Sequence, residues 1–239
     1  PPNIARLLAS LGQYIYSQSN KEVYVNLYTD SQCSLELGGK KVVLEQSTSY
    51  PWDEKVKIEI SPEVQAKFTL ALRIPGWCRF FKLLINGQPV ENPAVMVDRG
   101  YLKLERNWNP GDCVELELQM PVEKIEAHPA VRVNCGRIAL QRGPIVYCLE
   151  EIDNGPNLAD VVIAKDGELR CVFRPDLLDG VTVIQGKAWR RRLSNWGDSL
   201  YRPLSNAESF REEFNFIAVP YFAWCNREPG EMIVWVRCE

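Results

Sequence analysis

Histidine is nearly missing from this chain: His128 is the only one in 239 residues. A single imidazole argues against a Ser-His-Asp arrangement and against zinc held by paired histidines. No two cysteines stand as C-x-x-C, which removes the ribbon and finger patterns of structural zinc. The G-x-S-x-G elbow, the phosphate-binding loop, a G-x-G-x-x-G turn and H-E-x-x-H are also absent. No apolar run approaches the ~20 residues that span a bilayer. A formal net charge of −3 gives no electrostatic pull toward nucleic acid or an anionic membrane. With no initiator Met and no signal-like h-region, the opening reads as a cut.

What is present is an ordinary soluble-domain composition, 46% hydrophobic and 25% charged. That length and apolar content can fill one large core or two small ones. The eight cysteines, at 33, 78, 113, 135, 148, 171, 225 and 238, are scattered and suit buried free thiols in strands. Such usage favours a reducing, cytoplasmic compartment.

The chain opens PPNIARLLASLGQYIYSQSN, with Ile4, Leu7, Leu8, Leu11 and Ile15 at the steps of one helix face. From Glu22 the text changes to short alternating runs. EVYVNLY sets Val23, Val25 and Leu27 against Tyr24, Asn26 and Tyr28, the period of a half-buried strand. SLELGGKKVVLEQ places Gly38-Gly39 between two such runs and predicts a hairpin. Similar runs continue through CVELELQMPV. After Pro121, GRIALQRGPIVYCLE reads as two strands broken at Gly143-Pro144, and DVVIAKDGELRCVFRP as a hairpin turning at Asp166-Gly167.

A dozen strands and one helix predict a mainly β chain: two antiparallel β-sandwich domains preceded by a helix. The expected boundaries are helix 1–20, sandwich I 21–121 and sandwich II 122–239. A single β-supersandwich is the alternative.

Few residues look chemical. The acidic doublets Glu150-Glu151 and Glu212-Glu213 could supply carboxylates, but adjacent strand residues point to opposite faces, which suits a shared site poorly. His128 reads as a linker residue. AWRRRLSNWGDSLYRPL gathers Trp189, Arg191, Trp196 and Tyr201, whose indoles, phenol and guanidinium could stack on sugars and donate to hydroxyls. IPGW, residues 74–77, and PYFAW, residues 220–224, read as core anchors.

Five pieces, in order, resemble one known family: PPNIARLLASLGQYIY, LRIPGWC, GYLKLERNWNPGDCVELELQMPV, GRIALQRGPIVYCLE and AVPYFAWCNREPGEMIVWVR. They are similar to the C-terminal third of glycoside hydrolase family 127, the β-L-arabinofuranosidases. The resemblance implies an (α/α)6 catalytic barrel followed by two β-sandwiches, with the helix through Tyr16 being the last helix of that barrel.

It further implies a Cys-Cys pair directly before Pro-Pro-Asn. One of those cysteines would be the nucleophile, and both would hold zinc with a Cys and a Glu from further upstream. Zinc would keep the thiol deprotonated for a retaining displacement. Catalytic and metal residues are therefore expected to be none in this chain, with zinc the cofactor of the longer protein. Cys113, Cys148 and Cys238 lie in alternating runs and offer no substitute nucleophile. Expected partners are the helical barrel, a carbohydrate substrate of the longer protein, and a second copy in a homodimer, with the stripe from Ile4 to Ile15 seeking cover. A carbohydrate-binding or oligomerisation module is the alternative function.

Overall fold

The computed structural model describes residues 2–191, 200–201 and 211–239. They form two compact units, Pro1–Met120 and Pro121–Glu239.

Unit 1 begins with α1 (Pro2–Ser10) and α2 (Gly12–Ile15). The break between them has a local cause. The Ser10 hydroxyl donates to the carbonyls of Arg6 at 3.0 Å and Leu7 at 3.1 Å, back-bonding that bends a helix, and Gly12 follows. Helix expected up to residue 20 ends at Ile15, because Tyr16–Gln18 is a strand, β1, paired with β2 (Glu22–Val25).

The chain then runs through β3 (Ser31–Leu37), β4 (Lys40–Thr48), β5 (Lys55–Pro62) and β6 (Ala66–Arg73). After these come β7 (Phe81–Ile85), β8 (Gln88–Pro89), β9 (Val97–Asp98), β10 (Tyr101–Trp108) and β11 (Asp112–Leu118). One sheet has the order β1-β2-β6-β10-β9 and the other β3-β4-β5-β11-β7-β8.

Alternation makes this a sandwich. Leu70, Leu72, Leu102 and Leu104 from the first sheet share one buried cluster with Leu44, Ile58, Ile60 and Leu116 from the second. Trp108 is fully buried there, and its indole N–H donates to the Phe68 carbonyl at 3.1 Å, so a large ring is covered without orphaning its one donor. Gly38 and Gly39, at φ of 58° and 77°, supply the left-handed pair that a two-residue turn from Leu37 to Lys40 requires. Leu27 departs from its expected face. The strand stops at Val25, so Leu27 is exposed and Tyr28 is buried in its stead.

Unit 2 holds β12 (Val122–Glu126), β13 (Arg137–Arg142), β14 (Ile145–Glu150), the short helix α3 (Glu151–Asn154) and β15 (Val162–Ile163). It continues through β16 (Leu169–Arg174), β17 (Val181–Arg191), β18 (Arg211–Pro220), β19 (Met232–Ile233) and β20 (Val236–Cys238).

These strands belong to one nine-stranded sheet. The path β13-β20-β15-β17-β18-β14 returns to its start because β14 also pairs with β13, at Leu140↔Tyr147 through Arg142↔Ile145. The second domain is thus a sheet closed on itself, where two separate facing sheets were expected. Closure leaves fewer free edges. The ladders are antiparallel among the described residues except β2–β6 and β15–β20.

The hairpin expected at Asp166-Gly167 does not form. β15 and β16 both pair with β17, one after the other along the same edge. Lys124 accounts for this. Its ammonium donates to the carbonyls of Ala164 (3.1 Å), Lys165 (2.7 Å) and Gly167 (2.7 Å), so the turn is folded around a cation.

Among the described residues no helix is long and apolar enough to cross a membrane.

Candidate functional site

β17 and β18 are the longest paired strands of unit 2, running in register from Ile184↔Ala218 to Arg191↔Arg211. Trp189 lies opposite Glu213 near their far end, and the Arg211 guanidinium carbon sits 3.7 Å from the centre of the Trp189 ring. That is a close cation–π stack.

Alternation along β17 and β18 puts Ala188, Ile184, Phe216 and Ala218 into the core. Gln185, Lys187 and Trp189, with Glu213, Asn215 and Ile217, line a cleft of about 680 Å³ that the turn at Ala164–Glu168 also borders.

The residues expected to contact sugar fare differently. Trp189 does line the cleft. Arg191 is already engaged: its guanidinium forks onto Asp160, with Nε to Oδ1 at 2.9 Å and an NH2 nitrogen to Oδ1 at 2.5 Å, and its backbone N–H donates to Oδ2 at 2.9 Å. Hydrogen bonding to Asp160 raises the Arg191 guanidinium above its ordinary value. Tyr201 is 92% exposed and has no hydrogen bond or ring contact among the described residues. Trp196 lies outside the described residues. Of the three that are described, Trp189 is the one that lines this cleft.

The acidic doublets are structural where they are buried. Glu150 accepts from the Cys225 backbone N–H at 3.1 Å and pairs with Arg227 at 2.5 Å, while Arg227 also forks onto Asp153. These carboxylates raise the Arg227 guanidinium above its ordinary value, the Asp153 hydrogen bonds foremost. Glu151 accepts from the Glu231 backbone N–H at 2.8 Å, and Glu231 in turn accepts from that of Leu158 at 2.7 Å. The acids of α3 and β14 therefore clamp the segment from Tyr221 to Glu231.

That clamped segment corrects another expectation. PYFAW was expected to anchor the core, yet Tyr221, Phe222 and Trp224 are all exposed, with the Tyr221 and Trp224 rings 6.1 Å apart and 14° from parallel. Periodicity could not separate inward from outward aromatics in a turn. The other anchor behaves as expected, with Ile74 and Trp77 packed against the unit 1 core.

The cysteines form no disulfide among the described residues. Only Cys148 is fully buried, whereas Cys135, Cys171 and Cys225 are exposed, so the expectation of buried thiols holds for one position and fails at three. Burial pushes the Cys148 thiol up to about 12, far from the thiolate a nucleophile needs. His128 accepts from the Ala130 backbone N–H at 3.1 Å, a local turn contact. No group of three or more His, Cys, Asp or Glu is placed to hold a metal among the described residues.

Two mainly β units of this kind are matched closely by carbohydrate-active enzymes. Residues 22–120 match the family described as the β-L-arabinofuranosidase GH127 middle domain, and residues 122–237 the glycoside hydrolase family 127 C-terminal domain. The chain belongs to glycoside hydrolase family 127.

It is 34% identical to the non-reducing end β-L-arabinofuranosidase of Bifidobacterium longum subsp. longum, over 99% of this chain and 36% of that protein. A crystal structure of a GH127 β-L-arabinofuranosidase from Geobacillus stearothermophilus T6 superposes with a TM-score of 0.95 at 51% identity, covering all of this chain and 37% of that one. A GH127 β-arabinofuranosidase aligns at 32% identity with a TM-score of 0.85, over 99% of this chain and 38% of its own. The chain thus spans little more than a third of the length of these relatives.

Proposed function

We propose that this chain is the non-catalytic β-region of a β-L-arabinofuranosidase-like glycoside hydrolase, and that its first two helices dock against a helical catalytic partner. One observation carries the reading. No residue of α1 or α2 is buried, and Ile4, Leu7, Leu8, Leu11 and Tyr14 are 44–66% exposed along them. Helices this short are marginal in water without packing.

The end of the segment ties it to the strands of unit 1. Asn26 donates its backbone N–H to the Ile15 carbonyl at 2.8 Å, and its side chain to the Tyr14 carbonyl at 3.3 Å. Gln46 donates to the Tyr16 hydroxyl at 2.9 Å. Unit 1 fixes where the apolar stripe points, and the stripe supplies adhesion.

Among the described residues no three His, Cys, Asp or Glu side chains come together as a metal would need, and burial keeps the Cys148 thiol protonated, which supports placing a zinc–thiolate centre elsewhere. Nucleophile, zinc ligands and acid/base group are assigned to residues outside this chain, in the longer protein that would remove terminal β-L-arabinofuranosyl groups with retention.

The test compares the two. The longer protein should release the chromophore from an aryl β-L-arabinofuranoside, and the 239-residue chain should not. Sugar release by the chain alone, or stoichiometric zinc bound to it, would overturn the assignment.

A further inference from the structure

The cleft on the outer face of β16, β17 and β18 has no task in that reading. Its lining combines one aromatic with hydrogen-bonding groups of both kinds. Trp189 borders it with one indole face held by Arg211 at 3.7 Å. Gln185, Lys187, Glu213 and Asn215 also line it, and among the described residues their side chains hold no hydrogen bond or ion pair with one another or with neighbours.

Formal charge cancels among the lining residues, with Lys187 and Arg170 against Glu213 and Glu168. Arg170 is itself paired to Glu168 at 3.0 Å. An anion would find no net attraction, whereas a neutral polyhydroxyl ligand would find donors, acceptors and a ring to stack on.

The walls are set in advance. Lys124 fixes the turn on one side through its three carbonyl contacts, and Arg211 fixes the indole on the other. Pre-set walls reduce the ordering cost of binding.

We infer that this cleft binds a neutral oligosaccharide carrying arabinofuranosyl residues, a secondary site that retains substrate while cleavage occurs elsewhere. The choice of sugar rests on the function proposed above, and the choice of cleft does not. Stacking on Trp189 supplies the contact area. Gln185 and Asn215 supply orientation through sugar hydroxyls.

Isothermal titration of the chain with an arabinofuranose oligosaccharide, a glucan oligosaccharide and an oligouronate tests the inference. Saturable binding of the first is expected, weakened about tenfold by Trp189→Ala, in line with the loss of one aromatic stacking contact. The Gln185→Ala/Asn215→Ala double variant should weaken it similarly. Its side chains lie outside the core, so the fold survives even if Trp189→Ala does not. Trp224→Ala should bind as the parent does.

Absence of saturable heat, or equal binding by the Gln185→Ala/Asn215→Ala variant, overturns the cleft. Preference for the glucan or the uronate overturns the ligand. Hydrolysis by the longer protein is scored separately, so silent titrations beside intact hydrolysis sink the cleft and leave the family-based function standing.

Discussion

Unit 1 buries Gln46 and Asp112, and unit 2 buries Glu150 and Asn154, but the two pairs act differently. In unit 1 the buried polar groups tie turns to a sandwich that its apolar faces already hold. Asp112 accepts from the Asn86 side chain at 2.9 Å and the Asn109 backbone at 2.8 Å, joining two loops.

In unit 2 a charge is enclosed. Arg227 is 15% exposed at its side chain, with Glu150 and Asp153 at 6% and 13%, and the clamped aromatic segment depends on them. Asn154 adds a second pin, donating to the Ile217 carbonyl and accepting from its N–H, both at 2.9 Å. Alternating apolar residues suffice where two sheets face each other. A closed sheet with long excursions needs directional contacts to place those excursions.

The sharpest way to break this comparison is to remove one anchor from each unit. Trp108→Ala should cost unit 1 about 3–5 kcal/mol, through lost burial and a cavity. Arg227→Met should cost unit 2 about 3–5 kcal/mol, because two carboxylates are left buried without their partner. Urea unfolding followed by intrinsic fluorescence checks both. If Arg227→Met were nearly neutral, the ion cluster would not be the clamp. Adding Glu150→Gln and Asp153→Asn to Arg227→Met should recover part of the loss.

A smaller effect lies on the alkaline side. The Cys148 thiol is raised by burial from 9.0 to about 12, and the Tyr147 hydroxyl, also by burial, from 10.0 to about 12. The folded state keeps protons that the unfolded chain gives up, so stability should be fully present below pH 9 and fall as pH rises toward 12. Cys148→Ala should flatten the first part of that decline in a series of urea midpoints. An unchanged slope would remove Cys148 as its source.

Tyr147→Phe is expected to be neutral or to stabilise by about 1 kcal/mol, since its buried hydroxyl has no hydrogen-bond partner among the described residues. Smallest in stability is Leu7→Glu/Leu8→Glu, within about 0.5 kcal/mol because both residues are exposed. Sedimentation velocity should nevertheless show less self-association than the parent chain, and an increase would contradict a sticky stripe.

How much of this was readable in advance follows the same division. Strict alternation in KVKIEI and CVELELQ marks β5 and β11, and Gly38-Gly39 marks its turn, because strand faces and positive φ are properties of neighbouring residues. The mainly β class and the family likewise lie in local text.

The interrupted strand at β15 and β16 was misread as a hairpin because its cause, Lys124, lies some forty residues away in sequence. Exposure of Tyr221 and Trp224 is tied in the same way to distant residues, since the nearby Arg227 is held by Glu150 and Asp153 more than seventy residues back. At the candidate site Trp189 was legible as an aromatic in a basic run. Gln185 and Asn215 were not, since only the register of β17 against β18 brings them alongside it.

The central claim is that Pro2–Ile15 is shaped for a surface this chain does not itself supply. Amide hydrogen exchange of the chain at low concentration tests it directly. Residues 3–15 should exchange at rates close to those of an open helix while β6 and β10 stay protected for far longer. Protection of residues 3–15 equal to that of β6 would mean that the stripe is already covered, and would contradict the account.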